Sequence, residues 1–210
     1  MSNHRISGTR LHSRHDGFSF MELVVVLAVA GTLAAIAMPT INKTLASMRL
    51  SGAARSISNQ TAVTKTKAAA QFSRARLYAD LGAGSFHLEV WNTATNQWDV
   101  DGGTTTLPVN VAFGFGAVGA PPTNTQPAIG QAPACLANAV PPALPAPIAN
   151  TACIVFNSRG IPIDAGLAPT ASDALYITDG TSVLGVTVAA TGLIGLWTTP
   201  AAVAPSWTIS

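Results

Sequence analysis

Few side chains in this 210-residue chain have the type and spacing to do chemistry. His87 lies in a run of alternating apolar and polar residues, where a histidine is more often a satisfied or surface side chain than a base. Ser172-Asp173 and Thr181-Ser182 stand beside turn signals with no base close in sequence to activate a hydroxyl. Cys135 and Cys153 are the two cysteines, and with one histidine between them and the N-terminal segment they make a poor zinc set. No phosphate loop, dinucleotide fingerprint or metal-ligand cluster is present. No catalytic residue, cofactor or metal is therefore expected. The remaining group of interest is Glu22, a carboxylate at the start of the most apolar stretch of the chain. At a bilayer centre such a group costs up to about 3 kcal/mol, so it calls for either a cationic partner or a place at headgroup level.

The element that carries Glu22 is legible from composition. Charged residues are 10% of the chain and hydrophobic ones 48%, and the apolar content peaks between Leu23 and Met38, with no charge and a single hydroxyl, Thr32. Counted from Phe18 the stretch fits a membrane span of about 20 residues better than the h-region of about 7 to 15 residues of a cleaved signal. Arg5, Arg10 and Arg14 precede it, but Lys43, Arg49 and Arg55 follow at similar distance, so charge alone leaves orientation open. An Ala-Ile-Ala run, Ala35 to Ala37, is a competing signal-peptidase site that would release a soluble β protein beginning at Met38; Pro39 close behind the cut disfavours it. Both cysteines lie on one side of the span. An even pair in a chain entering the secretory route points to a Cys135–Cys153 disulfide, worth roughly 3 kcal/mol in the chain-entropy model, and so to a periplasmic C-terminal body.

The segment Gly17-Phe18-Ser19-Phe20-Met21-Glu22-Leu23, continuing through Val24 to Met38 and Pro39, resembles the cleavage and assembly motif of type IV prepilins and type II secretion pseudopilins. Ser19, Phe20 and Met21 are conservative departures from that motif, and Asp16 replaces a frequent lysine or arginine. The resemblance implies cleavage between Gly17 and Phe18 by a prepilin peptidase and N-methylation of Phe18. It also implies assembly through Glu22, which would meet the free N-terminal ammonium of a neighbouring subunit. The implied partners are other pilin or pseudopilin subunits, the peptidase and an inner-membrane assembly platform. The implied location is the inner membrane, single-pass, with the head in the periplasm.

Past the span a helical stripe continues through Ile41, Leu45 and Met48, then Ile57, Thr61, Thr64, Ala68 and Phe72. A helix from Phe18 to about Arg76 would be roughly 90 Å long, with Pro39, Gly31 and Gly52 as soft points. Gly82-Ala83-Gly84 ends the pattern. From Thr40 to Leu77 there are seven bases and no acid; from Tyr78 onward Arg159 is the single base against seven acids. A solvated helix face accounts for the basic residues better than nucleic-acid binding does, and an acidic head would repel phosphate.

Phe86, Leu88 and Val90 alternate with His87, Glu89 and Trp91 as in a half-buried strand. Asn92 to Asn96 read as a turn. Further strands are expected at Trp98 to Val100, Val109 to Phe115, Cys153 to Phe156, Ala174 to Thr178, Val183 to Ala189 and Leu193 to Thr198. Between Gly119 and Asn150 lie eight of the fourteen prolines and no charge, which excludes helix or central strand and suggests a surface loop or a contact surface. The expected fold is α+β and pilin-like, a long N-terminal helix followed by an antiparallel β head. Residues 1–17 are assigned to a leader, 18–39 to the membrane and assembly helix, 40–81 to its amphipathic continuation and 82–210 to the head with its loop 119–150. The Phe156 to Gly160 turn and the hairpin around Thr191-Gly192 resemble the head of the GspH/FimT branch of pseudopilins and minor pilins. The resemblance implies a minor pseudopilin of a type II secretion system, with a minor type IV pilin as the alternative.

Overall fold

The computed structural model describes residues 17–116, 118, 131–138, 145–170, 173–200 and 206–209. Most of the leader and much of the 119–150 segment lie outside them. The chain divides into two compact units, one ending at Lys43 and one beginning at Thr44.

One helix, α1 (Phe20–Ala70), opens the described chain. In the first unit it carries an 18-residue window of mean hydropathy 2.3, none of it buried, and it is long and apolar enough to cross a membrane. The helix continues through Pro39 although proline gives it no N–H. In the second unit its stripe is sharply defined. Leu50, Ala53, Ala54, Ile57, Thr61, Thr64 and Ala68 are buried, at spacings of three and four. Thr61 and Thr64 are tolerated there because each hydroxyl donates to the carbonyl four residues back, Ile57 and Gln60, at 2.7 Å.

Among the described residues eleven strands follow: β1 (Ala75–Asp80), β2 (Ser85–Asn92), β3 (Gln97–Val100), β4 (Thr105–Thr106), β5 (Ala112–Phe113), β6 (Thr151–Phe156), β7 (Pro162–Ile163), β8 (Asp173–Thr178), β9 (Ser182–Val188), β10 (Ile194–Pro200) and β11 (Thr208–Ile209). They form two sheets, ordered β3-β2-β1-β6-β7, with β4 also on β2, and β11-β10-β9-β8-β5. All pairings between these strands are antiparallel. Alternation sends Ala75, Leu77 and Ala79 of β1, Phe86, Leu88 and Val90 of β2, and Ala152, Ile154 and Phe156 of β6 into one core with the helix stripe. Leu175 and Ile177 of β8 and Leu184, Val186 and Val188 of β9 join them from the second sheet. The expected α+β architecture, a long helix before an antiparallel β head, is what the structure shows.

Several expectations are corrected. The helical reading through Arg76 and on to residue 81 overruns: α1 stops at Ala70, and Ala75–Asp80 is a central strand. Its sequence, Ala-Arg-Leu-Tyr-Ala-Asp, alternates core and opposite-face residues, a period of two that the preceding helical run obscured. Phe72 leaves the stripe entirely, at 88% exposure. Gly82-Ala83-Gly84 is the β1–β2 hairpin turn rather than a helix end. Val109 to Phe115 shortens to the two residues of β5, because Asn110 and Gly114 at positive φ break the extended run on either side. The charge division shifts with the helix end: Arg74 and Arg76 belong to the head, giving it three bases with Arg159 against its seven acids.

The turns after β6 and β9 are locked to α1. Gly160 N–H donates to Asn157 C=O at 2.9 Å, Gly192 N–H to Ala189 C=O at 2.7 Å, and Lys65 Nζ to Gly192 C=O at 2.9 Å. Both glycines have positive φ, and a Cβ on Gly192 would sit 2.4 Å from the Gly160 carbonyl oxygen. Only glycine lets these two turns approach so closely.

Candidate functional site

At the start of α1 the backbone gives Glu22 a local role. Leu23 N–H donates to Ser19 C=O at 3.1 Å, the first helical bond, which makes Ser19 the N-cap and Glu22 the third helical residue. Ser-x-x-Glu is the capping-box pattern, and an acid in the first turn is favoured by the helix dipole by about 0.3–1 kcal/mol. Glu22 is exposed and makes no ion pair among the described residues. Gly17 and Phe18 lie just before the helix, both exposed. Thr32, the one hydroxyl of the apolar stretch, donates to Val29 C=O at 2.8 Å, so its polar group is satisfied within the helix.

In the head, Cys135 and Cys153 are bridged, with Cα atoms 4.9 Å apart. The bridge fastens the segment 131–138 to β6, over the face of the first sheet that points away from α1. Strand register builds that face. Arg76 is paired with Glu89 and Tyr78 with His87 across β1 and β2, so the side chains of each pair meet on one side. Arg76 Nε donates to Glu89 Oε2, a buried ion pair, and its Nη1 donates to Leu136 C=O at 2.7 Å. Burial lowers the Arg76 pKa while Glu89 raises it, and the net direction is down. The guanidinium's high intrinsic basicity keeps it charged. His87 stacks on Tyr78, centroids 4.8 Å apart, with Nε2 3.2 Å from Glu89 Oε1.

The same face carries an aromatic corner. Trp91 and Trp98 meet edge to face at 5.2 Å. The Arg74 guanidinium lies 4.2 Å from the Trp91 ring centroid, and that of Arg76 lies 4.4 Å from Trp98. Asn138 Oδ1 accepts from Trp98 N–H at 2.7 Å, pinning the segment 131–138 here as well. Between this segment, β6, β7 and the turn after β7 lies a cleft of about 350 Å³.

Of the sequence-expected residues, the structure joins Cys135 to Cys153 and places Gly17, Phe18 and Glu22 in succession at the helix start. Ser172 lies outside the described residues, as do Val140 and Leu144 of the proline-rich segment. Asp173 is buried at the start of β8, and burial together with Asp164 pushes its carboxyl up to about 6. Thr181 and Ser182 form a turn around Asp179, whose Oδ1 accepts from both backbone N–H groups and the Thr181 hydroxyl at 2.8 Å. The Arg76–Glu89 pair and the Arg74–tryptophan corner were not anticipated. The alternation of Ala75–Asp80 against that of Phe86–Trp91 was the signal that could have revealed them.

No protein-family model and no curated protein matches this chain. Among solved structures, the minor pseudopilin EpsH from the type 2 secretion system of Vibrio cholerae aligns over 77% of this chain and 96% of its own, at 9% identity and a TM-score of 0.35.

Proposed function

We propose that this chain is a type IV pilin-like subunit, specifically a minor pseudopilin of a type II secretion system that polymerises through the N-terminal part of α1 into a periplasmic filament. The observation that carries the proposal is the wholly uncovered apolar surface of α1 in the first unit, directly behind the Gly17-Phe18 processing motif. So large a continuous apolar surface needs lipid or other helices around it. The rest of the chain supplies a folded head that can ride on such a helix. Cleavage after Gly17 would leave an ammonium on Phe18. In a lipid-excluded bundle the ammonium of one subunit and Glu22 of the next relieve each other's desolvation, which sets register between subunits.

Three measurements test this. Intact mass of membrane-extracted protein should begin at Phe18 with one added methyl; a chain beginning at Met38 rejects the reading. Glu22→Ala should leave a processed, membrane-held subunit with an oxidised head that no longer enters filaments. Wild-type assembly by that variant would leave Glu22 with its favourable place in the first turn of the helix alone. Deleting the gene and assaying protein secretion beside twitching and transformation distinguishes the two filament types: secretion lost supports the pseudopilin, while secretion intact with motility lost makes the chain a minor pilin.

A further inference from the structure

We propose that the cleft on the outer face of the first sheet binds an apolar carboxylate, with Arg74 as its anion-holding residue. This assignment is independent of the filament role above.

The cleft combines apolar walls from Leu136, Val155, Ile163 and Leu167 with the two tryptophans and two arginines. The arginines differ in kind. Arg76 is consumed by Glu89 and the Leu136 carbonyl. The Arg74 guanidinium carbon lies over the Trp91 ring, 4.2 Å from its centroid, and 5.7 Å from that of Trp98, and among the described residues no carboxylate or carbonyl accepts from its guanidinium. Partial burial lowers its pKa without changing its charge. A cation–π contact consumes no N–H, so the guanidinium keeps the fork of donors that matches a carboxylate with two parallel hydrogen bonds. Two carboxylates lie in this region, Asp99, which accepts from Asn92 Nδ2 at 2.8 Å, and Asp164 on the cleft wall, which accepts from Ala168 N–H at 2.9 Å; neither is ion-paired with Arg74. The site thus offers one unsatisfied cation at the edge of an apolar hollow. A volume of about 350 Å³ is at the small end for ligand pockets, which run from about 300 to 1,000 Å³, and suits a single aryl or short alkyl group. An acid of that shape arrives either free or as the apolar last residue of a peptide.

Isothermal titration of 4-phenylbutyrate into the full chain in lipid nanodiscs, with empty nanodiscs as blank, should show saturable one-to-one binding. 4-Phenylbutylamine should show none. Arg74→Gln should weaken the acid by about tenfold or more, as expected for losing a charge-assisted pair, and Arg74→Lys by less; near-UV circular dichroism verifies the fold of each. A dipeptide ending in phenylalanine, compared with its C-terminal amide, separates the sources. If the peptide acid binds and phenylbutyrate does not, the ligand is a chain end; the reverse makes it a free acid. The proposal is overturned if neither acid saturates at millimolar concentration, if the amine binds as tightly, or if Arg74→Gln leaves acid binding unchanged. The acid–amine comparison on the unaltered chain holds whether or not any variant folds.

Discussion

Single residues decide how closely the turns of the head approach α1. Gly192→Ala adds a Cβ 2.4 Å from a backbone oxygen and 3.0 Å from Lys65 Nζ, at a φ of 75°. The lysine tip can move but the carbonyl cannot, so the variant should lose about 2 kcal/mol or more in chemical denaturation. Asp173 sets a pH dependence. Its folded pKa, about 6 against an ordinary 3.8, means that the protonated form suits the fold. Its contribution is complete below the unfolded value and disappears as pH rises through about 6. Asp179 works in the opposite direction, since burial raises its pKa but the turn's hydrogen bonds outweigh that and lower it; its contribution is lost as pH falls. The clean measurement is therefore a difference between chains. Asp173→Asn should be more stable than the unaltered chain in chemical denaturation at pH 7.5, by no more than about 3 kcal/mol, with the advantage shrinking toward pH 4. A constant difference across that range would show that Asp173 does not titrate in the folded head.

At the level of elements, α1 ends by geometry rather than by composition. Ser73 N–H reaches Ala68 C=O at 3.2 Å and Phe72 N–H reaches Ala69 C=O at 3.3 Å, the paired bonds of a Schellman stop. The left-handed position belongs to Phe72, φ 50°, where glycine is usual. Phe72→Gly should stabilise the head by about 1 kcal/mol, read as a higher denaturation midpoint, because the side chain is exposed and only the backbone strain is removed. The same stop explains what the sequence concealed. A helix that ends on glycine advertises its end; one that ends on phenylalanine, with an apparent apolar period continuing into Ala75 and Leu77, does not. β2, β3, β6, β8, β9 and β10 were legible because alternation and turn residues agree there. The short strands β4, β7 and β11 were not, since two residues are too few for a period to register, and β5 was read too long. At the candidate site, Cys135 and Cys153 could be paired by counting, whereas Arg76 with Glu89 needed the β1–β2 register.

For the head as a whole, the disulfide lies outside the main apolar core yet holds the cover of the Arg76–Glu89 pair. Replacing both cysteines by serine should cost about 3 kcal/mol while leaving the near-UV circular dichroism of a packed core. Loss of all tertiary signal would mean instead that folding depends on the bridge. The topology reaches further than stability. β1 keeps both its partners, β2 and β6, although β3, β4, β5 and the alanine–proline segment intervene along the chain. Doubling the length of a loop adds only about 0.6 kcal/mol to its closure, and the chain is anchored at Val118 and Gln131, and again at Asn138 and Ala146. A few residues inserted between those anchors should therefore leave the register of β1 with β2 and β6 unchanged, so chain length there is free to vary without altering the sheet.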